Sequence, residues 1–101
     1  MASLPALTFL LGNTKAQQLF KAIVNQRRLQ GRELVRLGQP ATREEIYNDL
    51  ERLKQLSIID VDASVPIEDF RTYYVTAEGL STAKELGRIE AASASDMLTG
   101  L

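Results

Sequence analysis

The sequence predicts an α+β fold, mostly helical: three helices, a two-stranded hairpin and a final helix in one small domain. Three observations carry that expectation. Residues 42–56 join a capping box to an apolar stripe of helical period. The period then shifts to a β-type pattern on either side of a long polar loop, and Thr76 opens a last run of helical spacing.

Residues 3–12 are apolar enough to pack on a domain, but Pro5 and the mix of β-branched and aromatic residues leave helix and strand both open. Thr14-Lys15-Ala16-Gln17 has the spacing of a capping box, in which the hydroxyl accepts a free amide and the Gln side chain reaches back. A first helix over about 14–27 follows, with Leu19, Phe20, Ile23 and Val24 on one stripe. Glu33–Leu37 predicts a second, short helix. Gly31 stands near its start, Gly38 stops it before Pro40, and Leu34 and Leu37 face inward. Thr42-Arg43-Glu44-Glu45 is a second capping box, and Ile46, Leu50, Leu53 and Leu56 share one face of a third helix over about 43–56. Ile58–Asp62 and Arg71–Thr76 read as the two strands of a hairpin. Between them, Ala63–Phe70 contains Pro66 and Glu68-Asp69 and is longer than a tight turn, as a projecting loop requires. Thr76 caps a last helix through Leu80, Ala83, Leu86 and Ile89. Small and polar residues fill 91–101, which reads as a frayed tail beyond a domain at 1–90.

A chain of 101 residues holds one such domain. It has no cysteine and no histidine, which excludes disulfides, thiol nucleophiles, imidazole bases and zinc sites built from those ligands. The acidic pairs Glu44-Glu45, Asp60/Asp62 and Glu68-Asp69 come without a glycine-rich phosphate loop or a nucleophile elbow, so the chain reads as a non-enzyme without cofactor or metal. Leu4–Leu11 is too short to span a bilayer and has no basic residue before it, which points to a soluble, cytoplasmic protein without a membrane partner. The formal net charge of −1 conceals an asymmetry. Residues 1–40 carry six Lys/Arg and one Asp/Glu, whereas 41–101 carry six against twelve. One basic and one acidic surface follow if the two stretches do not intermix.

Two stretches carry a family likeness. Thr42–Ile59 looks like a third helix running into a first wing strand, and Tyr73-Tyr74-Val75-Thr76-Ala77-Glu78-Gly79-Leu80 looks like a second wing strand entering a last helix. Over roughly residues 10–90 the chain resembles the winged helix-turn-helix superfamily, especially the small ArsR-like, MarR-like and PadR-like regulators. That resemblance implies a DNA-binding transcriptional regulator. Its third helix would enter the major groove, the second would support it against phosphates, and the wing would touch flanking backbone or minor groove.

On that template, helix 43–56 is the recognition helix. A step of roughly 100° per residue turns Glu44, Asn48, Glu51 and Gln55 outward, with Tyr47 and Arg52 on the flanks. Asn48 and Gln55 suit adenine, whereas Glu44 and Glu51 oppose phosphate, as does Glu68-Asp69 near the wing tip. Earlier in the chain, Arg28, Arg32 and Arg36 recur every fourth residue. They form a guanidinium ladder for phosphate oxygens if the second helix starts early, with Arg27 beside it, and Gly31 stands against so early a start. The candidate DNA contacts are therefore Arg27, Arg28, Arg32, Arg36, Arg43, Tyr47, Asn48, Arg52 and Arg71. Tyr73 and Tyr74 face opposite ways on one strand, so one fills the core and the pair is no stacking platform. The rival to double-stranded DNA is a protein partner bound through the charged or apolar surface. In either case the last helix, through Leu80, Leu86 and Ile89, offers a homodimer face.

Overall fold

Ser3 and Pro5 settle the segment that the sequence leaves open between helix and strand. In the computed structural model, which describes residues 3–99 and side chains through Ser93, the Ser3 hydroxyl accepts the Ala6 amide at 3.3 Å. Pro5 sits in the first turn, where its missing N–H costs nothing. The result is α1 (Leu4–Leu11), which buries Ala6, Leu7 and Leu10. The cap of α2 (Thr14–Gln26) differs from the expected Thr14 box. Asn13 Oδ1 takes the Ala16 amide at 3.1 Å, and Gln17 donates instead to the Leu10 carbonyl at 3.1 Å. Asn13 serves an orphan amide from one residue earlier, which leaves Thr14 inside the helix.

The next element carries no signature in the sequence. Arg27 adopts φ 70°, a conformation that L-residues rarely hold, and swings the chain into β1 (Arg28–Gln30). Three residues are too few to display a period. The second predicted helix, α3 (Gly31–Gly38), therefore begins only at Gly31. Its inward stripe is Gly31, Leu34, Val35 and Gly38, at offsets of three, four and seven. Leu37 falls off that stripe and is 59% exposed, against the expectation that it faces inward.

In α4 (Arg43–Gln55) the Thr42 capping box is complete, and Ile46, Leu50 and Leu53 are buried. The helix ends where Ser57 turns to φ 65°. The Ser57 amide donates to the Lys54 carbonyl at 2.9 Å and the Ile58 amide to the Leu53 carbonyl at 3.3 Å. Two predicted strands come next, β2 (Ile59–Val61) and β3 (Thr72–Val75), paired antiparallel. β1 joins the other edge of β3, giving the order β1-β3-β2. Across this sheet Leu29, Tyr73 and Val61 form one row toward the core, and Arg28, Tyr74 and Asp60 form the next row on the outer face. Tyr73 is buried and Tyr74 exposed, as strand alternation requires.

The Thr76 hydroxyl accepts the Gly79 amide at 2.9 Å and opens α5 (Ala77–Thr99). Gly79 lies so close to the Ile58 carbonyl that any Cβ would collide with it, so the glycine lets α5 start tight against the backbone that enters β2. Buried Thr82 donates to the Glu78 carbonyl and accepts the Ser3 amide, tying α5 to α1. The helix continues through 91–99, where the sequence reads as a frayed tail; residues 100 and 101 lie outside the described residues. One apolar cluster, centred on Phe20, Ile23, Leu34, Leu50, Leu53 and Leu86, joins the helices to the inner face of the sheet. The class is α+β and mostly helical, as expected. Among the described residues no helix is long and apolar enough to cross a membrane.

Candidate nucleic-acid interface

The loop between β2 and β3, expected to project, folds back over α3 and α4. Asp62 Oδ1 accepts both the amide and the hydroxyl of Ser64, at 3.0 and 2.7 Å, and bends the chain at the loop entrance. At the exit Arg71 Nε donates to the Val65 carbonyl at 2.6 Å, and the same guanidinium reaches the Pro66 carbonyl at 3.4 Å. The turn Glu68–Phe70 then lies on the start of α3, where the Gly31 amide donates to the Arg71 carbonyl at 3.0 Å. A Cβ on Gly31 would run into the Glu68 carbonyl and the Tyr47 hydroxyl, so the glycine makes this approach possible. The Arg32 guanidinium covers the Phe70 ring, 5.7 Å from its centre.

Asp69 is the hub of this contact. Its Oδ1 accepts the Tyr47 hydroxyl at 2.6 Å and its Oδ2 accepts Arg43, whose guanidinium also lies 5.2 Å from the Tyr47 ring centre. The Tyr47 hydroxyl and then Arg43 hold the Asp69 carboxyl below the usual carboxylate value. Burial, followed by the hydrogen bond to Asp69, pushes the Tyr47 phenol up. The network is therefore a carboxylate held charged by two donors.

The nine candidate contacts do not form one surface. Arg43 and Tyr47 come together, but on Asp69. Arg71 is turned into its own loop. Arg52 lies on the other flank of α4, 5.8 Å from the Phe9 ring centre, and donates to Gln55 at 3.4 Å. Asn48 is exposed in a groove of about 290 Å³ that it shares with Glu51, Lys54, Glu68 and Arg71. The three-step ladder is broken, because Arg28 belongs to β1, opposite Tyr74, and only Arg32 and Arg36 remain one turn apart on α3. The cause is the turn at Arg27 and the late helix start at Gly31.

Availability separates these cations more sharply than position does. Lys15 pairs with Glu45 at 2.8 Å and Lys21 with Glu90 at 2.9 Å, so the basic and acidic halves do intermix. The hydrogen bond from Lys15, with those at Thr42, draws the Glu45 carboxyl down to about 2. Arg27, Arg28, Arg32 and Arg36 are all exposed and have no carboxylate within 4.0 Å among the described residues. Arg27 and Arg28 also line an open groove with Thr72, Tyr74 and Asp62. Among the described residues no group of three or more acidic side chains is placed to hold a metal ion.

Sequence reasoning missed Asp69 as the partner of α4, and no spacing relates position 69 to 43 and 47. Compared with known proteins, the chain matches no family model and no curated protein.

Proposed function

We propose that this chain is a cytoplasmic winged helix-turn-helix protein that binds double-stranded DNA as a transcriptional regulator. Arg28, Arg32 and Arg36 contact phosphates, and α4 lies nearest the base edges. The element order, with α3 and α4 joined by the short turn 39–42 and followed by a β2–β3 hairpin, supports the fold assignment. The single observation that carries the binding assignment is the set of four exposed arginines within residues 27–36 that have no carboxylate partner among the described residues. A guanidinium left unpaired on an acidic chain is poised for an external anion, and phosphate fits its planar fork. A homodimer formed along α5 would present two such edges to two half-sites.

A second reading, an adaptor that docks another polypeptide, draws on the outward face of α4. Glu44, Asn48, Glu51 and Gln55 are all exposed there, and two of the four are carboxylates that repel a phosphate backbone. Fluorescence anisotropy with a random duplex at low and high salt separates the two. The DNA reading predicts binding at roughly 50 mM salt that weakens steeply by 200 mM. No binding at the lower salt would retire it and leave the adaptor.

A further inference from the structure

We propose that Arg43 and Tyr47 are a binding pair for phosphate oxygens and that Asp69 is its built-in competitor, holding the pair closed until an external polyanion displaces it. The inference rests on the DNA reading and deepens it by naming how that surface is regulated. Asp69 presents what a phosphate would present: one negative charge and two oxygens, Oδ1 on the Tyr47 hydroxyl at 2.6 Å and Oδ2 on the Arg43 guanidinium. The two donors stand four residues apart in the first turns of α4. The same turns carry Glu44 and Glu45, and the capping box already holds the Thr42 and Glu45 amides, so the pair offers a phosphate its side-chain donors alone.

The competitor can leave without unfolding the domain. None of residues 62–70 is buried, and Ile67 and Phe70 stay 54% and 46% exposed. Lifting the loop thus breaks polar contacts and the packing on Gly31 without opening the core. Protonation is a poor trigger, because both donors hold the Asp69 carboxyl low. Competition by another anion is the trigger that matches the chemistry. Glu68, the adjacent acid, forms no side-chain hydrogen bond or salt bridge with Arg43 or Tyr47, acts on Arg43 through its charge alone, and supplies a charge-matched control.

The test uses the full chain, its Asp69→Asn and Glu68→Gln variants, and Asp69→Asn combined with Arg43→Ala. Asp69→Ser serves as a second opened variant should the first fail to fold. Binding of a random duplex is expected to tighten about ten-fold in Asp69→Asn, with the salt slope steeper by about one unit. Glu68→Gln should gain about two-fold or less, and adding Arg43→Ala should erase the gain. Inorganic phosphate, followed through the Tyr47 ring resonances, should bind the opened variants at lower concentration than the parent. Equal gains in Asp69→Asn and Glu68→Gln would reduce the effect to net charge and overturn the proposal, as would a Tyr47 ring that phosphate leaves unmoved in the opened variants. Phosphate capture at Tyr47 with no duplex binding by any variant would retire the DNA reading and leave the anion pair standing.

Discussion

Arginines before residue 40 and arginines after it differ in carboxylate pairing: Arg43 and Arg88 are paired, and among the described residues none of the four before residue 40 is. Those after it are engaged: Arg43 on Asp69, Arg52 over Phe9, Arg71 on two loop carbonyls and Arg88 on Glu85 at 3.2 Å. Those before it, at 27, 28, 32 and 36, have no carboxylate partner among the described residues, although Arg32 donates to Gln30 and covers Phe70. The net charge of −1 hides this division completely. The field a partner meets depends on which guanidinium is not already bonded, and formal charge does not report that.

Breaking the engaged side should cost more stability than breaking the other side. The largest effect is expected at Gly31→Ala, where the new Cβ meets the Glu68 carbonyl and forces the loop off α3. Chemical denaturation should show a loss of about 2 to 3 kcal/mol, and a change within about 0.5 kcal/mol would mean that the loop does not rest there. Arg71→Ala should come next. It removes the donors to the Val65 and Pro66 carbonyls, for about 1 kcal/mol in the same assay. By contrast, Arg28→Ala, Arg32→Ala and Arg36→Ala together should cost less than about 1 kcal/mol, since no ion pair among the described residues is lost and only Arg32 gives up its Gln30 bond and its place over Phe70.

The smallest effect is expected from acid. Lys15 holds the Glu45 carboxyl down to about 2, and Tyr47 with Arg43 holds Asp69 low. Both carboxyls are depressed in the folded chain. Their contribution is therefore complete above the unfolded carboxylate values and is lost as pH falls through the folded ones. For Glu45 that window runs from 4.5 down to about 2. Melting temperature should drop modestly across it, because these groups are partly exposed and screened. The drop should shrink in Glu45→Gln. An equal drop in that variant would show that the Lys15 pair contributes nothing.

What the sequence made legible were features set by local chemistry. The Thr42 box, the stripe Ile46, Leu50 and Leu53, the Thr76 cap and the division between Tyr73 and Tyr74 are each decided within a few residues. What it hid depended on contacts distant in the chain. β1 exists because Arg28–Gln30 find Thr72–Tyr74, and three residues carry no period of their own. The broken ladder comes from the unusual turn at Arg27, which no side-chain pattern announces. The folded-back loop needed Asp69 to meet Arg43 across 26 positions, and a glycine at 31 to let it approach.

The central claim of the proposed reading is that the arginines at 28, 32 and 36 are open to a polyanion, whereas Arg43 becomes so only when Asp69 leaves it. Duplex affinity measured across a salt series, for the parent chain and for the triple variant Arg28→Ala, Arg32→Ala, Arg36→Ala, tests it most directly. Loss of three phosphate contacts should flatten the slope of log affinity against log salt by about 2.7 units. A parent chain that binds with a slope the triple variant leaves unchanged would contradict the account.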